Sequence, residues 1–69
     1  MTYAELEQWA ERNGMRASAR AFPSMRKAVA ELVLDEGANG EEHMTFWRPS
    51  LASAKRALCR AVEKLRAAE

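Results

Sequence analysis

Reactive groups are few in this chain: it holds one histidine, His43, and one cysteine, Cys59. Acid–base or nucleophilic catalysis needs a histidine poised by a carboxylate, or a thiolate beside a base. His43 follows Glu41 and Glu42, but no evident nucleophile lies near it in sequence. Cys59 has Lys55, Arg56, Arg60 and Glu63 for neighbours, and bases of that kind lower a thiol pKa. A cysteine flanking an apolar stripe is more often a small packing residue. The expectation is a protein with no catalytic residues, no cofactor and no enzymatic activity.

Metal chemistry fares no better. Asp35-Glu36-Gly37-Ala38-Asn39-Gly40 is similar to the opening of a calcium loop, with acid, amide and glycine at suitable offsets. The bidentate glutamate that must close such a loop falls on Phe46, which excludes it. What remains is at most a weak surface cation site at Asp35, Glu36, Glu41 and Glu42. A Cys/His zinc site lacks ligands.

Charge is informative through its distribution. The net charge is +1, yet Arg12, Arg16, Arg20, Arg26 and Lys27 form a stretch without an acid. Glu31, Asp35, Glu36, Glu41 and Glu42 then follow without a base. Leu6 to Met15 resembles the first helix and turn of a helix-turn-helix motif, in its apolar and small residues and in Gly14 before Met15. The resemblance implies DNA binding by a helix that follows. The apolar anchors of that helix would fall on Arg20 and Pro23, and proline interrupts a helix. Arg16, Arg20, Arg26 and Lys27 are therefore candidate nucleic-acid contacts through phosphate charge alone.

The elements that must position these groups read as helices. Thr2-x-x-Glu5 is a capping box ahead of Tyr3, Leu6, Trp9 and Ala10, and Asn13-Gly14 is a stop signal. The spacing predicts a helix over about 3–13. Alanine favours a short helix at 16–21, and Pro23 breaks it. Ser24 then caps a helix whose stripe is Met25, Ala28, Val29, Leu32 and Val33, ending at Gly37. Leu34 lies off that stripe and is a candidate contact. GANG (37–40) is a turn, and EEHMTFWRP (41–49) is an irregular or extended connector. Pro49 and Ser50 open the last helix, where Leu51, Ala54, Leu58, Ala61, Leu65 and Ala68 keep heptad spacing, widened by Val62. Arg56, Arg60 and Lys64 form a row opposite. The expected fold is all-α: a bundle of three helices, or four with the short one, in a single domain spanning 1–69.

A chain of 69 residues buries only roughly 60% of its unfolded surface. One cysteine forms no internal disulfide, so a second copy packed through the last helix is expected to complete the core. In an extended connector Met44 and Phe46 point one way and Thr45 and Trp47 the other. Phe46 then closes the core, and Trp47 beside Arg48 is left for a partner. The expected function is a small protein-binding module: a homodimeric adaptor or inhibitor, bacterial or phage in origin and anti-CRISPR-like in size. Its candidate partner-binding residues are Phe46, Trp47, Arg48 and Leu34. The rival expectation is a small DNA-binding regulator with a degenerate helix-turn-helix. No apolar run reaches the ~20 residues that span a bilayer, the start of the chain is unlike a signal peptide, and a free thiol fits the cytoplasm.

Overall fold

The computed structural model describes residues 1–35 and 42–68, apart from the side chains of Leu34, Asp35 and Glu42. Helix α1 (Tyr3–Arg12) leads into strands β1 (Arg16–Phe22), β2 (Lys27–Asp35) and β3 (Glu42–Arg48), and helix α2 (Leu51–Ala67) follows; a 3₁₀ turn at Pro23–Met25 joins β1 to β2. The strands form a three-stranded antiparallel sheet in the order β1-β2-β3. Both helices share one core with one face of that sheet. The fold is therefore α+β, and the expected all-α helical bundle of three or four helices is wrong.

The error lies between residues 16 and 35. Alanine-rich RASARAF has high helix propensity, but its polar residues alternate strictly with alanine, which is the period of a strand. Ala17, Ala19 and Ala21 pair across to Leu32, Ala30 and Ala28. In β2 the residues Ala28, Ala30 and Leu32 are buried together, a spacing of two residues and not the helical stripe of Met25, Ala28, Val29, Leu32 and Val33. Tertiary pairing overrides local propensity here. The helix-turn-helix resemblance fails for the same reason, because the chain after Gly14 enters a strand. Leu34, which broke the helical stripe, falls where the β2–β3 register shifts between Val33 and Asp35. It is the extra residue of a bulge.

The terminal helices form where their signals stand. Thr2 caps α1: its hydroxyl accepts from the Glu5 N–H at 3.2 Å, and the Glu5 carboxylate accepts from the Thr2 N–H at 2.8 Å. That bond to the backbone holds the Glu5 carboxyl below its ordinary pKa. Asn13 closes α1, and Gly14 takes the left-handed conformation (φ 73) that lets the chain turn into β1. Ser50 caps α2 by accepting from the Ser53 N–H at 3.2 Å.

The largest fully buried side chains are Leu6, Leu32, Leu58 and Val62, packed among Ala10, Ala28, Ala30, Ala54 and Cys59. Alanine on both sides of the layer lets helix and sheet approach closely. Helix α1 lies mainly over β1, and α2 over β2 and β3. The stripe of α2 expected to meet a second copy thus faces its own sheet through Ala54, Leu58 and Val62. Its far end, Leu65 and Ala68, is exposed. The amino group of Met1 donates to the Glu63 carboxylate, which ties the start of α1 to α2 and raises the pKa of that amino group.

Candidate functional site

The helices cover one face of the sheet; the other is open at its Trp47 end, while Val33 further along it is buried. Register places Arg20, Val29 and Trp47 in one row across that open face, with Phe22 and Lys27 beside them at the end of the β1–β2 hairpin. The Phe22 and Trp47 rings are 5.8 Å apart at 31°. The Arg20 guanidinium sits 5.3 Å from the centre of the Phe22 ring, so guanidinium, phenyl and indole form a continuous ledge. Trp47 is 49% exposed, and Met25 in the adjoining turn is 56% exposed. Arg26, Lys27, Trp47, Arg48 and Pro49 line a shallow hollow at this end. Arg26 reaches it from a left-handed backbone (φ 53), an uncommon state for a residue with a Cβ.

Around the edge of β3, on the helix side, runs a groove of about 380 Å³. Its cations are Arg48, Arg56, Arg60 and Lys64, and Phe46 and Ser53 also line it. The groove exists because Arg56, Arg60 and Lys64 recur every fourth residue along α2 and share a face. Arg48 lines both the hollow and the groove. Its guanidinium donates to the Trp47 carbonyl at 2.7 Å and lies 5.4 Å from the centre of the Phe46 ring. Among the described residues no carboxylate lines either depression, and none forms an ion pair with Arg20, Arg26, Lys27, Arg48, Arg56, Arg60 or Lys64.

Two sets of candidates, assigned by sequence to rival partners, thus meet on one surface. Trp47 and Arg48 lie beside Arg20, Arg26 and Lys27. Arg16 lies further along the open face, opposite Val33. Phe46 points to the helix side, partly buried against the core with Met44. The side chain of Leu34 lies outside the described residues. In sequence Arg56, Arg60 and Lys64 are a row opposite the apolar stripe; their spacing carries the sign of the groove, but not its wall, β3.

Compared with protein-family models, curated proteins and solved structures, the chain has no match. The site must speak for itself.

The reactive residues lie elsewhere. Cys59 is 6% exposed in the core, where a small packing residue was the favoured reading, and burial pushes its thiol pKa up. His43 Nδ1 stands 3.5 Å from a Glu31 carboxylate oxygen on the open face. Among the described residues no group of histidine, cysteine or carboxylates could hold a metal ion. The calcium-like loop and the weak cation site expected around Asp35, Glu36, Glu41 and Glu42 lie outside the described residues and side chains. No described helix is long and apolar enough to cross a membrane.

Proposed function

We propose that the protein is a non-enzymatic binding module that grips a nucleic acid along the β3 edge, with α2 and the β1–β2 hairpin supplying the charge. One observation carries this reading: Arg48, Arg56, Arg60 and Lys64 line a single groove, and no acid is among the described residues that line it. A row of like charges on one helix face costs a few tenths of a kcal/mol per pair. A polyanion offsets that cost, and each cation that neutralises a phosphate releases a counterion. The cations of the hairpin end extend the charge past Arg48 to the open face of the sheet.

The reading is tested by titrating a labelled nucleic acid at rising salt. Binding should weaken steeply, and Arg56→Ala with Arg60→Ala should flatten the slope of log affinity against log salt by about one for each lost contact. No binding at low salt, or binding indifferent to salt, overturns it. A second reading rests on Trp47, an exposed indole among arginines, which is the composition of a protein–protein hot spot. An acidic protein on the same surface would show far weaker salt dependence and would compete with nucleic acid.

A further inference from the structure

We infer that the ledge on the open sheet face stacks the bases of a single-stranded nucleic acid, whose backbone continues past Arg48 into the α2 groove. The inference rests on the nucleic-acid reading above and narrows its substrate. Stacking needs an aromatic face held still and open to solvent, with cations near enough to hold the backbone. Trp47 meets the first requirement: it is half exposed, buttressed by Phe22 at 5.8 Å and aligned in register with Val29. Arg20, Arg26, Lys27 and Arg48 meet the second, all at the same end of the sheet.

Other occupants satisfy only part of this. An acidic peptide answers the cations and leaves the indole without a planar partner. A second copy seated on the same patch by a two-fold axis would set Arg20, Arg26, Lys27 and Arg48 against themselves. An intact duplex offers phosphates to the groove but keeps its base faces stacked inside. A single strand supplies phosphates and free base faces together, in any sequence, because every base has a π-face.

The experiment compares labelled oligothymidylate and oligouridylate of about a dozen nucleotides, within the usual range of site sizes, with a mixed-sequence duplex of equal length and with poly-glutamate. Binding is read by anisotropy of the labelled strand and by tryptophan emission, with Trp9→Phe removing the other indole. Both single strands should bind more tightly than the duplex and quench Trp47. Trp47→Ala should cost about tenfold or more in single-strand affinity, Trp47→Phe should restore most of it, and duplex binding should change little. Circular dichroism checks that each variant is folded, and quenching in the protein with Trp47 intact needs no such check. Equal affinity for duplex and single strand without quenching overturns the stacking site; if Arg56→Ala still weakens binding, the broader nucleic-acid reading stands. Poly-glutamate binding as tightly as the strands overturns it in favour of an acidic protein. Absence of any nucleic-acid binding at low salt removes both readings.

Discussion

Single residues carry the sharpest consequences. Arg26 holds a left-handed backbone (φ 53) at the end of the 3₁₀ turn, where a Cβ costs roughly 1–2 kcal/mol. Glycine removes that strain but gives the unfolded chain more freedom, an offset of up to about 1 kcal/mol. Arg26→Gly should therefore be at least as stable as the parent and more stable than Arg26→Ala, which keeps the Cβ. Urea denaturation of the three proteins decides it, and an Arg26→Ala protein as stable as Arg26→Gly contradicts the strain. If Arg26 is kept for its charge, the glycine variant should also bind nucleic acid more weakly. Tyr3 gives a second residue-scale test, since it is the chain's 1 tyrosine and its phenolate absorbance is unambiguous. Burial pushes its pKa up from 10.0 to about 12. The unfolded chain loses that proton first, so the contribution to stability is full below pH 10 and lost as pH rises through about 12. An alkaline titration of folded protein should place the phenolate midpoint near 12, and a midpoint at the ordinary value would refute the burial. Trp47 itself was legible from sequence, because strict alternation in an extended segment separates it from Phe46 whatever lies beneath.

At the scale of elements, the two helices at the ends of the chain were readable, β3 was readable only as an irregular or extended connector, and β1 and β2 were not. Thr2, Glu5, Asn13, Gly14 and Ser50 act through their immediate neighbours, so their signals survive in the linear sequence. The middle of the chain is ambiguous in physical terms. Ala28, Val29, Leu32 and Val33 satisfy both a helical stripe and an alternating strand, and alanine weights the choice toward helix. What decides it is pairing between Ala17, Ala19 and Ala21 and their partners in β2, a long-range term that no local count contains. Those alanines also set the spacing of the layers. Ala30 and Ala54 are both fully buried in the shared core. Ala30→Leu should cost about 1–3 kcal/mol by overpacking, although leucine and its neighbours in β2 are all compatible with a strand. Leu58→Ala should cost about 2–5 kcal/mol by leaving a cavity. In so small a domain either change is a large part of the total stability. Thermal or urea denaturation checks both, and an Ala30→Leu protein of unchanged stability would mean that α2 does not pack closely on the sheet. The site shares this illegibility: the groove needs β3 as its second wall, and β3 joins α2 only through the fold.

For the whole molecule the net charge of +1 conceals an unequal placement. Glu5, Glu7 and Glu11 sit on α1 over the β1 side, whereas Arg48, Arg56, Arg60 and Lys64 gather on the β3 side. A small protein under selection for stability alone would intersperse these signs, since Arg56, Arg60 and Lys64 repel one another at intervals of one helical turn. Their arrangement argues for a ligand that is not part of the fold, and it makes stability and binding respond in opposite directions to one change. Arg60→Glu replaces two repulsions with two attractions, to Arg56 and to Lys64, and exchanges the attraction to Glu63, three residues on, for a repulsion. At about 0.2–0.5 kcal/mol for each such change, two gains remain, and the variant should be more stable by roughly 0.5 kcal/mol at low salt. The same change puts a carboxylate in the middle of the groove and should abolish nucleic-acid binding there. Salt separates the two effects further: it screens the repulsion in the parent, so the stability difference should shrink as salt rises, while binding by the variant stays weak at every concentration. Thermal melts and anisotropy titrations across a salt series supply both halves. A variant that is destabilised, or that binds as well as the parent, would mean that the row on α2 is only a solvated face.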